Sequence, residues 1–434
     1  MGSGGREHAL CWKLSQSEIV EFLFCVPGNA GIAQLATCID IKADDIDGIS
    51  IFAKREKIDF VVIGPEVPLS LGLVDRLEEL GIKSFGPNKK CAQLEGSKSF
   101  TKAFLKRHSI PTARYKEFSD KEDCLANIGI FGYPMVIKAD GLAAGKGVII
   151  AEDEEEAKDA IEDLMGRRIF GSSGDKIVVE EYLEGFETSA LCFVDEYTIS
   201  PMDSCQDYKR VYDGDKGENT GGMGSYSPNS LFDEQLWDTL NKDIFQPTLK
   251  GLQEDGLHFK GMLFIGLMIT KDGPKVIEFN NRFGDPETQS LLPRLKNDLL
   301  EVLVATADNK LNGIKLEWDH RYCVTVNIVS EGYPKAPING REINGLGELD
   351  PEILVFHGGT TERGTSYNEG SQPRIFTNGG RVLSITGFGE NSESARKNVY
   401  DNIEKISFQG MHFRKDIAAI KNINPCPMYT IRVK

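Results

Sequence analysis

The chain has 434 residues, 40% of them apolar, enough to bury several cores without disulfides. Its formal net charge is −16, with no cluster of lysines and arginines to override it, which excludes a general nucleic-acid binder. No apolar run is long enough to span a membrane, no signal-peptide pattern is read, and the nine cysteines are scattered without a C-x-x-C pair; a reducing, cytoplasmic setting without zinc is expected.

Gly2-Ser-Gly-Gly-Arg-Glu-His8 reads as a glycine turn running into a helix near Ala9 to Ser15. It is not a dinucleotide fingerprint: Glu7 stands where the third glycine belongs, and Pro27-Gly28-Asn29 follows the next strand in place of an acid. A phosphate on this helix N-terminus remains possible chemistry. Apolar strands are expected at 22–26, 59–64 and 82–85, with helices near 48–56 and 71–80 between them. Strands alternating with helices imply a doubly wound parallel sheet, whose ligands sit at the carboxyl ends of its strands. Ser97 is the expected N-cap of an amphipathic helix, Lys98 to Arg107, that carries Lys102.

The centre of the chain is the stretch Pro134-Met-Val-Ile-Lys-Ala-Asp-Gly-Leu-Ala-Ala-Gly-Lys-Gly-Val-Ile-Ile150. It reads as strand, glycine loop, strand, with Lys138 and Lys146 at the two ends of the loop. Glycines let backbone N–H groups approach a bulky anion, and flanking lysines suit polyphosphate. The order is not that of a Walker loop. Further strands are expected at 176–182, 188–194, 198–201, 261–270 and 275–279, and a charged helix at 154–165. The polar segment 207–224 is read as a long functional loop. Residues 286–310 read as largely helical, and the remainder as a separate α+β unit with strands at 322–329, 353–357 and 381–386 and a helix at 392–406.

Val276-Ile-Glu-Phe-Asn280 alternates, so Ile277 and Phe279 are expected on one strand face and Glu278 and Asn280 on the other. Two oxygen donors on one face suit Mg²⁺ shared with phosphates. The turn Asn281-Arg-Phe-Gly-Asp-Pro-Glu287 adds Arg282, suited to a planar hold on phosphate or carboxylate.

The ordered set Gly4-Gly-Arg-Glu-His8, Pro27-Gly-Asn-Ala-Gly31, Val62-Ile-Gly-Pro-Glu66, the 137–147 glycine loop, Gln206-Asp207, Asn219-Thr-Gly-Gly-Met-Gly224, Glu278-Phe-Asn280 and Arg282-Phe-Gly-Asp-Pro-Glu287 resembles the phosphoribosylamine–glycine ligase family of the ATP-grasp superfamily. The resemblance runs over essentially the whole chain and its motifs are highly specific. It implies an α/β and α+β multidomain fold: an N-terminal α/β domain (1–97), a split ATP-grasp domain (98–315, small lobe about 112–183, large lobe about 184–315) and a C-terminal domain (316–434). It implies ATP-driven joining of glycine to 5-phosphoribosylamine, through glycyl phosphate, in de novo purine synthesis. The rivals are another ATP-grasp carboxylate–amine ligase and a non-catalytic nucleotide-binding regulator.

By position, the resemblance makes Lys102 and Lys138 phosphate lysines, with Gly145 and Lys146 in the loop over ATP, Glu180, Glu181, Tyr182 and Leu183 the adenine hinge, and Glu187 the ribose acid. Glu278 and Asn280 become ligands of Mg²⁺ or Mn²⁺, and Arg282, Asp285 and Lys138 catalytic. Gly4, Gly5, Arg6, Glu7, Pro65, Glu66, Asp207, Asn219, Gly221, Gly222 and Met223 join Arg282 and Asp285 at the substrates. Tyr208, Glu218, Phe186 and Asn281 depart from the family pattern, which has a histidine, a proline, an acid and a small residue there. No nucleic-acid or membrane partner is implied; a monomer, or a weak dimer, of bacterial type is expected. Family members also carry an apolar strand just before the first glycine turn, whereas Met1 stands there. The expectation is a slot between the strands at 22–26 and 60–64, about 9–10 Å wide, and a natural start upstream.

Overall fold

A computed structural model describes residues 1–143, 147–363 and 374–419. The N-terminal segment contains two parallel strand pairs, β1 (Phe24–Cys25) with β2 (Thr37–Cys38) and β3 (Phe60–Val62) with β4 (Lys83–Phe85). Helices Ile46–Arg55, Glu66–Leu71 and Leu73–Glu79 pack beside them around Ile49, Ile63, Leu69, Leu73 and Leu77. β1 and β3 belong to different sheets. Met1 and Gly2 reach between them at one end. The Gly2 amide donates to Val26 O (2.6 Å) and the Met1 amine to Val62 O (3.0 Å), while the Gly64 amide donates to Met1 O (3.2 Å).

The first helix runs Gly5–Leu14, a turn earlier than its apolar residues suggest. The cause is Glu7. Its carboxylate reaches back to accept from the Gly4 amide at 2.7 Å, which satisfies a helix-end donor. A Cβ on Gly2 or Gly64 would strike this carboxylate side chain at 2.4 or 2.3 Å, so both positions require glycine.

Helix Lys98–Arg107 follows, capped by Ser97 Oγ accepting from the Phe100 amide. A four-stranded antiparallel sheet then forms from β5 (Tyr115–Phe118), β6 (Met135–Ala139), β7 (Val148–Ala151) and β8 (Ile177–Glu181), in the order β5-β8-β6-β7. Helix Glu154–Ile161 covers it. The chain continues through β9 (Phe186–Val194), β10 (Ile199–Pro201), β11 (Gln206–Asp207), β12 (Arg210–Tyr212), β13 (Lys216–Asn219) and β14 (Gly224–Ser227), and returns with β15 (Gly261–Thr270) and β16 (Gly273–Asn280). The second antiparallel sheet has the order β10-β9-β15-β16. It is buried on both faces. Ala190, Cys192, Leu263 and Ile265 pack against helices Lys98–Arg107 and Gln246–Glu254, and Leu191, Phe193, Met262 and Phe264 pack against helix Leu299–Ala307 and Phe283. That is why β15 is an unbroken apolar run.

The segment 207–224 is not a structureless loop: β12 and β13 pair as a small antiparallel hairpin within it. The C-terminal unit shares its sheet with an earlier segment. Its sheet, β11-β14-β17-β21-β18, takes two strands from 206–227 and adds β17 (Tyr322–Val329), β18 (Leu354–His357) and β21 (Arg381–Gly389). β19 (Thr360–Arg363) and β20 (Arg374–Thr377) form a side hairpin, and helix Ser392–Ile403 packs on the sheet. Among the described residues no helix is long and apolar enough to cross a membrane.

Candidate active site

The two antiparallel sheets face each other across a cleft of about 460 Å³. One end is apolar: Val136, Val148 and Ile150 from the first sheet oppose Met268 and Ile277 from the second, with Leu183 at the connection. Glu181, Tyr182 and Glu187 line the same region. A flat apolar slot beside free chain of this kind suits a purine.

Next to it stands a buried charge cluster. Glu180 lies between Lys102 Nζ (2.8 Å) and Lys138 Nζ (2.9 Å), and all three side chains are buried. Lys102 Nζ also donates to Thr112 Oγ1 at 2.8 Å, and Lys138 Nζ to Ile277 O at 3.2 Å. Burial pushes the Lys102 ammonium down to about 8, against the pull of Glu180. Burial raises the Glu180 carboxyl, but Lys138 and Lys102 outweigh it and hold it below the usual range. Lys138 lines the cleft; Lys102 stands behind Glu180.

β16 carries the next pair. Opposite Gly266 and Leu267 its register shifts, so Ile277 is an extra residue. The expected strict alternation therefore fails. Val276 and Phe279 enter the core, while Ile277, Glu278 and Asn280 all line the cleft. Gly266 makes room, since a Cβ there would meet Glu278 Cγ at 3.1 Å. Lys98 Nζ lies 3.3 Å from Glu278 Oε2, and Asn280 Nδ2 donates to Oε1 at 3.3 Å. Burial raises the Glu278 carboxyl, but Lys98, Lys209 and Lys138 hold it far below the usual range. Its residual 24% side-chain exposure opens into the cleft. Among the described residues no three His, Cys, Asp or Glu side chains cluster around a metal position. Two oxygens on one face, with the other positions left to water and phosphate, fit Mg²⁺ or Mn²⁺ better than a closed cage would.

Beyond Asn280, Arg282 Nε lies 3.4 Å from Glu95 Oε1 and 3.8 Å from Glu66 Oε2. The Arg6 Nη1 donates to Phe283 O at 3.2 Å and its Nε to Glu7 Oε1 at 2.6 Å. Burial raises the Glu66 carboxyl, but Arg282 and Arg6 outweigh it. Arg6, Glu66, Asp207, Asn219, Gly221, Arg282 and Asp285 line this end of the cleft. Burial and Asp207 push Glu287 up to about 7.

Other expected residues lie elsewhere. Gly145 and Lys146 fall outside the described residues. Among the described residues, Gly4, Gly5, Glu7, Pro65, Gly222 and Met223 are not in the cleft lining. Glu7 is taken up by Gly4 and Arg6, and Met223 is buried in the core of the C-terminal sheet. The four departures are absorbed by packing. The Tyr208 hydroxyl accepts from the Ala418 amide at 3.1 Å, Glu218 pairs with Lys335 at 2.9 Å, Phe186 packs at a core edge, and Asn281 Nδ2 donates to Cys91 O at 3.2 Å. Lys98, Glu95, Lys209 and Arg381 were not expected in the cleft. Lys209 pairs with Glu187, the ribose candidate, and Asp140 accepts from the Ser99 amide (3.0 Å) and hydroxyl (2.6 Å), which ties the end of β6 to helix Lys98–Arg107.

A cleft between two antiparallel sheets, with Lys138 on one and Glu278 and Asn280 on the other, is the arrangement of an ATP-grasp enzyme. Profiles of the phosphoribosylglycinamide synthetase N, ATP-grasp (A) and C domains match residues 1–95, 96–288 and 323–420. The chain is 48% identical over 419 residues to the phosphoribosylamine–glycine ligase of Caldanaerobacter subterraneus, covering 96% of this chain and 98% of that one. The crystal structure of phosphoribosylamine–glycine ligase from Thermotoga maritima superimposes with a TM-score of 0.79 at 34% identity, over 96% of this chain and 98% of that one. The biotin carboxylase domain of Hydrogenobacter thermophilus 2-oxoglutarate carboxylase, solved in complex with MgADP, ADP and bicarbonate, shares the fold (TM-score 0.72, 16% identity, 95% and 90% covered). The chain belongs to the phosphoribosylglycinamide synthetase family and is an ATP-dependent ligase.

Proposed function

We infer that the chain joins glycine to 5-phosphoribosylamine, with ATP converted to ADP and phosphate, as a step of de novo purine synthesis. The observation that supports this most is the continuity of one cleft, lined at one end by Lys138, Glu278 and Asn280 and at the other by Arg6, Glu66, Arg282 and Asp285. A polyphosphate and a second anionic substrate can then meet in a single space. Adenine lies in the apolar slot by Glu180 to Leu183, and Glu187 takes the ribose. Lys102 and Lys138 hold the phosphates, and the sequence adds Gly145 and Lys146, outside the described residues, to the ATP-binding set. Glu278 and Asn280 hold Mg²⁺ or Mn²⁺, which when bound neutralises phosphate charge.

The glycine carboxylate attacks the γ-phosphorus, and ADP leaves. The amine of phosphoribosylamine attacks the resulting acyl carbon, phosphate leaves with the C–O bond electrons, and the nitrogen gives up one proton to the departing phosphate or to water. Neither step needs a protein nucleophile; positioning and charge neutralisation suffice. Arg282 stabilises the transferring phosphoryl group, and Asp285 faces the amine. The acyl phosphate must be kept from water, a role for the glycine loop. Domain limits at 97/98 and 315/316, a cytoplasmic monomer and no macromolecular partner complete this reading. ADP release from ATP is the test. It should require glycine and freshly made phosphoribosylamine together for sustained turnover. Equal turnover with an unrelated carboxylate and amine would refute the substrate assignment.

A further inference from the structure

Three parts of the chain meet at Asp285, and one side chain ties two of them together. Gln289 Nε2 donates to Asp285 Oδ1 at 2.7 Å, and Arg381 Nη2 donates to Oδ2 at 2.6 Å. Arg381 opens β21 of the C-terminal sheet. Its Nη1 donates to the backbone carbonyl of Asp285 at 2.7 Å and also to that of Gly221. The Gly221 amide donates to the Tyr333 hydroxyl at 3.0 Å, and Asn327 Nδ2 donates to Gly222 O at 2.8 Å. Gly222 (φ +113) tolerates no side chain, since a Cβ there would strike Pro286 Cδ at 2.3 Å, and a Cβ on Gly221 would press on the Arg381 guanidinium carbon at 3.0 Å. From the N-terminal helix, a Cβ on Gly5 would lie 2.8 Å from Gln289 Nε2 and 3.1 Å from Ser384 Oγ.

The contacts require a planar fork. One guanidinium serves a carboxylate and two carbonyls of different segments; a lysine ammonium could not hold that plane. Among the described residues each Asp285 oxygen accepts one hydrogen bond, so the carboxylate keeps acceptor capacity. Asp285, Gly221 and Arg381 all line the cleft, so that capacity is available to an N–H donor in it.

We propose that Arg381 is a positioning residue of the ligation: it fixes the Asp285 carboxylate and the Gly221–Gly222 turn so that the amine nucleophile is held against the acyl group. This rests on the ligase reading above. The test uses the full chain with Arg381→Ala and Arg381→Lys, measuring turnover with glycine and phosphoribosylamine, ATP binding, and the effect of added guanidinium ion. Arg381→Ala should lose at least about a hundredfold in kcat/KM for phosphoribosylamine, the scale of one preorganising group. ATP affinity should stay within about threefold, because the phosphate lysines make no contact with Arg381. Guanidinium should restore about tenfold or more in Arg381→Ala, entering from the cleft, and nothing in Arg381→Lys, whose own side chain fills the place. Unchanged kcat/KM in Arg381→Ala overturns the proposal, and so does a loss of ATP binding as large as the loss of turnover with no guanidinium rescue. A wild-type chain that needs neither substrate would instead defeat the ligase reading.

Discussion

Replacing Glu278 by glutamine keeps the side chain's shape and removes its charge. Glu278 lies 3.3 Å from Lys98 Nζ and is also under the influence of Lys209 and Lys138. Two effects on ATP then oppose each other. Without metal, a carboxylate beside the phosphates repels them, so glutamine should leave metal-free ATP affinity unchanged or improved. With metal, one of two protein oxygens is weakened. Loss of one preorganised charge-stabilising group costs about 2.7–4 kcal/mol in the transition state, or about a hundred- to a thousandfold in turnover. The fold should survive: glutamine keeps the side chain's shape, Lys98 and Glu278 keep 15% and 24% side-chain exposure, and the core-facing Val276 and Phe279 are untouched. Steady-state ADP release, with calorimetric titration of ATP with and without Mg²⁺, measures all three terms. Turnover within about fivefold of wild type in a folded protein would refute the metal assignment. Equal weakening of ATP with and without Mg²⁺ would show that the side chain acts only in packing.

Glu180→Ala should destabilise the ligand-free protein by about 3–5 kcal/mol, because Lys102 and Lys138 lose their buried counter-charge. Saturating ATP should return part of this in urea unfolding, and an unchanged midpoint would refute the cluster's role. Lys102 is pushed down from 10.5 to about 8 by burial, so ATP affinity should fall as pH rises above about 8. Its stability term runs the other way: the folded value lies below the unfolded one, the unfolded chain holds more protons between them, and stability rises with pH across about 8 to 10.5. Lys102→Met should flatten both trends. His8 and His357, buried where the first helix meets β18, are pushed by burial from 6.5 to about 3 and about 4. The His357 amide donates to His8 Nδ1 at 2.8 Å, so protonating His8 would set donor against donor. The unfolded chain takes up these protons first, so stability should fall as pH drops below about 6.5, by about 2 kcal/mol per histidine at pH 5. His8→Asn with an unaltered acid limb would contradict this.

Where a residue's environment is set by its near neighbours, the sequence was a sufficient guide. Ser97 before an amphipathic run caps helix Lys98–Arg107 with the expected limits. The apolar run 261–270 is a strand buried on both faces. What stayed hidden depends on distant chain. The extra residue at Ile277 is visible only against β15, so a period-2 reading assigned it to the wrong face. The hairpin of β12 and β13 has a polar sequence without a hydrophobic face to announce it. Nothing in the local sequence marks Lys98, Lys209 or Arg381, because the carboxylate beside each comes from another element. Arg381 is supplied 96 residues after its partner, Asp285.

These pairings have one electrostatic logic. The chain is acidic overall, yet the cleft and the layer behind it are rich in cations, each matched before substrate arrives: Lys102 and Lys138 by Glu180, Lys98 by Glu278, Lys209 by Glu187, Arg6 by Glu7, Arg282 by Glu95 and Arg381 by Asp285. A cation left alone in such a site would lose its proton or turn to solvent. Paired, it is held in place. In the proposed reaction a triphosphate would exchange partners within the set, its oxygens meeting the lysines, with Glu278 there to hold a divalent metal ion. The groups need little rearrangement at that moment, because folding has already oriented them, and that preorganisation is what a reaction without a protein nucleophile depends on.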